Sequence, residues 1–400
     1  MSIAPPSNNF KGRIPELDGL RGLAILLVLI WHYFIGQIPS EQALSSYVNT
    51  WGRLTWSGVD LFLVLSGFLI GGILMDVRSS PNYFKAFYAR RFYRILPLYS
   101  LVCLLLWLAV SLSVESRVAG LGSLLDTTLP WYAYATFTQN FWMALYGTFG
   151  AGWLCATWSL AVEEQFYLTL PFIIRYVKRA RLPYILAAII CLAPLIRTFL
   201  YFYLPHGSLA AYVLTPCRAD SLMLGVAAAI VVRSSAGWMF LLTNKRLLYA
   251  TLFALSFGMV ALTINDWGVY SLAMSSVGYT WVALFYLCIL LIALTQKTCL
   301  LSRILRNRAL TWLGAIAYGT YLLHLGLLGL CHGLIRGREP QIASLPDAAV
   351  TLLALILTLA LATLSWVYFE KPLVKRGHQH SYEDSGEVAG VVRASSALAS

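Results

Sequence analysis

The sequence predicts an all-α membrane protein, a polytopic bundle of about ten transmembrane helices with both termini cytoplasmic. Three observations carry this. Of 400 residues, 59% are hydrophobic and only 12% charged, where a soluble globular domain carries about 25% charge. The apolar residues are gathered into runs close to the ~20 needed to cross a bilayer as a helix. The Lys and Arg residues between those runs fall almost entirely on alternate sides.

The runs cover residues 20–37, 58–76, 95–114, 153–175, 183–204, 216–233, 247–265, 275–295, 309–332 and 347–369. The first contains Arg21 and His32 and ends without a small-residue cleavage site, so it reads as a retained helix and not as a signal peptide. The fourth is interrupted by Glu163 and Glu164, the sixth by Arg218 and Asp220. With the N-terminus inside, 21 Lys and Arg residues fall in cytoplasmic segments, and only Arg53, Arg117, Arg336 and Arg338 lie opposite. Positive charge is retained on the cytoplasmic side during insertion, and one missed helix would scramble the pattern. The net charge of +12 is therefore a topology signal, and a nucleic-acid partner is not expected.

Residues 115–152 form the longest outer segment. It is rich in aromatics, including Trp131, Tyr132, Tyr134, Phe137, Phe141, Trp142 and Tyr146. It is expected to lie at the interface as a short helix or re-entrant piece, more as an aromatic belt than as a sugar-stacking surface. Residues 1–12 and 377–400 are small and polar and are expected to be disordered tails around a membrane domain at 13–376. No internal repeat and no second soluble domain is evident. The seven cysteines (103, 155, 191, 217, 288, 299, 331) show no paired spacing and imply neither disulfides nor a metal site.

Charge inside a span costs roughly 2.5–3.5 kcal/mol on insertion scales, so such residues are functional candidates. Arg21 and His32 are eleven residues apart, three helical turns plus about 20°, which puts them on one face roughly 16 Å apart. Arg91 and Arg94 are one turn apart where the third helix enters the membrane. With Arg21 they form a basic mouth suited to a phosphate-bearing ligand; the plainer reading makes Arg90, Arg91 and Arg94 topology anchors at lipid headgroups. A middle and outer layer holds Asp60, Glu163, Glu164, Arg218, Asp220 and His324. Its competing reading is an ion-pair network between helices, above all for Arg218 with Asp220. His32 is the leading catalytic candidate, because imidazole transfers protons near neutral pH and can act as a nucleophile. A buried carboxylate, Glu163 or Glu164, is expected to orient it or to stabilise its protonated form. His324 is the second histidine candidate, with packing as its plainer explanation. No HxxxH or Cys/His group suggests a metal, and no Walker or GxGxxG loop suggests a nucleotide fold.

Several blocks in order carry a resemblance over about Arg13 to Pro372: RIPELDGLRGLAILLVLIWH, WSGVDLFLVLSGFLIG, FYARRFYRILPLY, TWSLAVEEQFYL, RADSLMLG, YGTYLLH and YFEKP. Together they resemble the acyltransferase-3 family of integral membrane acyltransferases. The resemblance implies acyl-CoA, usually acetyl-CoA, as a co-substrate approached from the cytoplasm, with no tightly bound cofactor. It implies a hydroxyl acceptor on a carbohydrate or glycolipid, and a bacterial inner or plasma membrane location. On that basis His32 is the catalytic residue, as general base or acyl relay. Arg21, Arg91 and Arg94 match the family's arginines, and Glu370 matches its terminal Glu-x-Pro element. Asp18, Ser66 and Tyr321 stand in the same blocks as further polar candidates. Some relatives carry a fused outer esterase-like domain; this chain, ending about 30 residues after its last helix, is expected to handle its acceptor through outer loops, cavity or a partner. Oligomerisation is compatible with the sequence but not indicated by it. A transporter or flippase for a lipid-linked sugar, and a non-catalytic sensor, are the alternative classes; the absence of two related halves argues against the first.

Overall fold

The protein is seen in a computed structural model that describes residues 12–39, 50, 52–112, 114, 118–265 and 268–383. Ten long helices stand at the ten expected places: α1 (Pro15–Tyr33), α2 (Gly58–Asp76), α3 (Tyr83–Ser111), α4 (Trp158–Tyr176), α5 (Leu182–Tyr203), α6 (Thr215–Arg233), α7 (Lys245–Ile264), α8 (Tyr279–Thr295), α9 (Arg308–Arg336) and α10 (Leu345–Ser365). No strand occurs among the described residues. Among the described residues, nine helices are long and apolar enough to cross a membrane, making this a multi-pass membrane protein. The exception, α4, has 19 residues like α1, about 28 Å of helix. Glu163, Glu164 and Arg175 set its composition apart.

Two boundaries differ from the sequence reading. Helix α3 begins at Tyr83, a dozen residues before the apolar run. YFKAFYARRFYR contains no Gly or Pro, so the helix continues through polar sequence that hydropathy does not register. Arg90, Arg91 and Arg94 are thus interior residues of a helix. At the other end, the expected tail from 377 begins with ordered chain. Helix Lys371–His378 leads into a strap on the start of α3. Arg90 Nε donates to the His380 carbonyl at 2.9 Å, and its guanidinium lies 4.6 Å from the Tyr382 ring centre. Asn82 donates to the Ser381 carbonyl at 2.9 Å. Residues 1–11 and 384–400 lie outside the described residues, as do residues 115–117 of the outer segment.

Small residues bring the central helices together. Helix α1 packs along α9 and α2, and α6 packs along α2 and α5. A Cβ on Gly22 would collide with the Leu310 carbonyl, and one on Gly314 with that of Asp18. At the α2–α6 crossing, Gly67 and Gly225 face the Leu222 and Val64 carbonyls in the same way. In lipid no hydrophobic drive separates helix from tail, so close backbone approach supplies the packing. The α1–α9 contact matters most here, because it sets His32 beside His324. Exposed Phe199 on α5, Phe253 on α7 and Leu352 on α10 form the outward apolar surface.

The segment before α4 folds back as a cap. Leu121, Leu124, Leu125 and Leu129 are buried, with Leu124 against Gly329 and Trp153 against Gly326 of α9. Short helices Trp131–Ala135 and Gln139–Tyr146 fulfil the expectation of a short helix there. Tyr132, Phe141 and Tyr146 are exposed while Tyr134 is buried.

Candidate active site

A cavity of about 300 Å³ opens between α1, α2, α3, α4 and α9. Arg21, Arg91 and Arg94 line it, together with Ser66, Glu163 and Tyr321. These six sequence candidates come from five helices, and the fold brings them to one void.

The arginines are held by ring faces. The Arg91 guanidinium lies 5.5 Å from the Tyr167 ring centre and 5.8 Å from that of Phe87. Arg94 lies 5.4 Å from Trp366 and 5.9 Å from Tyr318. A guanidinium stacked this way keeps its N–H donors in its own plane, free for an oxyanion. Arg91 Nε is in fact buried without a partner. Arg21 is tethered to Asp18 at 3.5 Å, and Asp18 is itself bound by Arg13 at 2.6 Å. Asp18 therefore stands at the rim, orienting Arg21. A π-helical turn at Trp366–Glu370 supplies the Arg94 platform. Such widened turns recur at functional sites. The same turn buries Glu370, whose Oε1 accepts from Ser365 at 3.0 Å and whose Oε2 has no partner. Glu370 lies within electrostatic range of Arg94.

The paired glutamates separate as adjacent helix positions must. Glu163 faces the cavity, accepting from Ser66 Oγ at 2.5 Å and from the Tyr167 hydroxyl at 3.3 Å. Glu164 does not line it and has Oε1 buried and unpartnered. Glu163 thus joins the arginines instead of the other members of the middle and outer layer expected for it.

His32 and His324 form a pair one step beyond the cavity. Their ring centres are 4.9 Å apart, edge to face at 66°. His32 Nδ1 lies 2.9 Å from the Val28 carbonyl, and His324 Nδ1 lies 2.8 Å from that of Tyr321. A carbonyl only accepts, so each neutral ring carries its proton on Nδ1 and its lone pair on Nε2. The expected glutamate partner of His32 is therefore a backbone carbonyl, since Glu163 is engaged by Ser66 and Tyr167. Tyr33, next to His32, donates to the His324 carbonyl at 2.8 Å and bonds Thr358 at 2.7 Å, bracing α1, α9 and α10 around the pair.

The remaining charges form a separate network with different partners from those expected. Arg218 pairs with Asp60, and Asp220 pairs with Arg197 at 2.9 Å; all four side chains are fully buried. Arg197 also donates to the Ser275 carbonyl at 2.7 Å and to Thr280 at 2.6 Å. Ser275 lies in a π-helical turn before α8, whose loosened bonding frees a carbonyl. The sequence reading does not single out Arg197, although a lone arginine in an otherwise apolar run requires a buried counter-ion. Phe62, Tyr167, Tyr318 and Trp366 are also missed. Of these, only Tyr167 carries a signal, one turn after Glu163.

The family described as an acyltransferase domain, acyltransferase-3, matches residues 14–367. Among curated proteins, the chain is 28% identical over 386 residues to the putative peptidoglycan O-acetyltransferase YrhL of Bacillus subtilis, covering 91% of this chain and 55% of that protein. It is 27% identical over 386 residues to the peptidoglycan O-acetyltransferase OatA of Listeria monocytogenes, covering 91% and 56%. It is 24% identical over 381 residues to the O-acetyltransferase OatA of Staphylococcus aureus, covering 91% and 58%. The chain thus spans about half the length of these relatives. No solved structure matches it. With ten helices at the expected places and the motif residues gathered at one cavity, the match over nearly the whole sequence means that the chain belongs to the acyltransferase-3 family.

Proposed function

We propose that the protein is an O-acetyltransferase of a bacterial inner or plasma membrane, with both termini cytoplasmic. It moves an acetyl group from cytoplasmic acetyl-CoA to a hydroxyl of a carbohydrate acceptor. The names of its relatives make peptidoglycan the first acceptor to test. The observation that carries this reading is the cavity itself, with three arginines at its wall and with His324, then His32, beyond Tyr321. CoA phosphates bind Arg21, Arg91 and Arg94 through charge-assisted hydrogen bonds. The thin pantetheine arm then extends along the cavity towards His32.

His32 acts as general base through Nε2. It takes the acceptor hydroxyl proton as the oxygen bonds to the thioester carbon. The C–S bond breaks, and the departing CoA thiolate recovers the proton. Positioned general bases contribute about 10²–10⁴-fold.

The test uses detergent-purified protein and radiolabelled acetyl-CoA. Acceptor-dependent CoA release should fall about 10²–10⁴-fold in His32→Ala, and glycan mass spectrometry of a deletion strain should show a lost acetyl mass. No acetyl-CoA binding, with an unaltered His32→Ala phenotype, would overturn the reading. A single-turnover reaction without acceptor that traps an acyl-protein, absent in His32→Ala, would make His32 a relay instead of a base.

A further inference from the structure

His32 does not line the cavity that holds the arginines. A row of rings lies between them. Phe62 on α2 meets Tyr321 on α9 at 6.2 Å, Tyr321 meets His324 at 5.7 Å, and His324 meets His32 at 4.9 Å. Along α2 the cavity wall runs from Ile73 to Phe62. That is eleven residues, about 16 Å of helix. An acyl group carried along the cavity towards His32 meets the Phe62 and Tyr321 rings.

The two members of this constriction are held differently. The Tyr321 hydroxyl donates to the Ala156 carbonyl at 2.6 Å and is 2.6 Å from Ser159 Oγ, which donates to it. Two anchors on one hydroxyl fix that ring. Phe62 has no polar group and is held by packing alone. The width of the passage is therefore set by the size and rotamer of residue 62.

We infer that Phe62 is the specificity-determining residue for the acyl group, restricting transfer to short chains by narrowing the passage against the fixed Tyr321 ring. This rests on the acyl-CoA reading above. A closely packed apolar wall discriminates about tenfold or more per methylene, which is the scale to expect.

The experiment measures kcat/KM for CoA release with acetyl-, butyryl- and hexanoyl-CoA. It compares wild type with Phe62→Ala, Phe62→Leu and Phe62→Trp in detergent, each checked for melting temperature. The butyryl-to-acetyl ratio should rise about tenfold in Phe62→Ala, rise less in Phe62→Leu, and fall in Phe62→Trp. If Phe62→Ala does not fold, the opposite shifts in Leu and Trp decide. Ratios unchanged across the folded variants, with robust wild-type turnover, overturn this inference alone. A wild type that turns over no acyl-CoA of any length overturns the acyl-CoA reading and this inference with it.

Discussion

Two regions of the bundle hold arginine against aromatic rings, and they are built for different ends. Arg218 lies 4.4 Å from the Tyr279 ring and Arg197 lies 5.6 Å from it, much as Arg91 and Arg94 sit on Tyr167 and Trp366. Stacking therefore does not distinguish the regions. Arg197 and Arg218 are fully buried with a carboxylate each. Among the described residues, Arg91 and Arg94 have rings but no carboxylate at ion-pair distance, and they face a void. Paired charge in a dry interior joins helices; under the proposed function, the charge that lines the cavity binds CoA phosphates.

Removing one partner from the closed region should have the largest effect. Arg197→Ala leaves Asp220 buried without its cation, at a cost of about 3–5 kcal/mol. The expected outcome is a large loss of melting temperature and of yield in detergent. Asp220→Asn with Arg197 intact should be milder, since an amide still accepts a hydrogen bond. A wild-type melting curve for Arg197→Ala would break the distinction between the regions.

The open region should respond in affinity and not in stability. A charged hydrogen bond is worth about 1.5–3 kcal/mol, so replacing Arg91 and Arg94 together by Ala should weaken CoA binding by a factor of about 10–100 or more. Calorimetry with free CoA reads this directly. Affinity equal to wild type would return both residues to the role of topology anchors. Thermal stability should change less than in Arg197→Ala, because neither guanidinium is in an ion pair with a carboxylate among the described residues.

Much of this contrast was legible in the sequence, for a physical reason. A charge inside an apolar run stands out, which makes Arg21, Glu163, Arg218 and Asp220 legible, and Arg91 and Arg94 stand out as a pair one turn apart just before the third run. The ten helices were legible too, including α4 despite its glutamates, because apolar runs of helical length mark their places. Pairing was not legible. Asp220 meets Arg197 because α6 packs on α5, and Asp60 meets Arg218 because α6 packs on α2; a single sequence does not state which helices touch. Phe62 and Trp366 were invisible for the opposite reason. An aromatic within an apolar run carries no signal until a cavity or a cation is seen beside it.

A smaller effect sharpens the boundary of the open region. Tyr321→Phe removes a hydroxyl that bonds the Ala156 carbonyl and Ser159, worth about 0.5–1.5 kcal/mol. Stability should fall by that amount, and the looser ring should admit butyryl-CoA slightly better than wild type does. Melting temperature and the butyryl-to-acetyl ratio, read on the same preparation, check the two halves of this expectation. A change in stability without any in chain-length ratio would mean that the ring holds its place by packing alone.

The smallest expected effect concerns the strap. Arg90 is adjacent to Arg91 but serves a different face, bonded to the His380 carbonyl and covered by Tyr382. Gly377 packs closely on Arg90 and Tyr93 of α3, so the strap fixes the turn from which Arg91 projects. A cation–π contact is worth about 0.5–1 kcal/mol at an exposed site, and Tyr382→Ala forfeits that together with the packing of its ring. Because the contact orders a binding residue and touches no reacting atom, KM for acetyl-CoA should rise about two- to fivefold while kcat stays at its wild-type value. Arg90→Ala, which also removes the bond to the His380 carbonyl, should raise KM at least as much, and adding Tyr382→Ala to it should change KM little further, since their contact is already gone. A fall in kcat with KM constant would instead place the strap's influence at the histidine pair, extending the open region across the whole bundle.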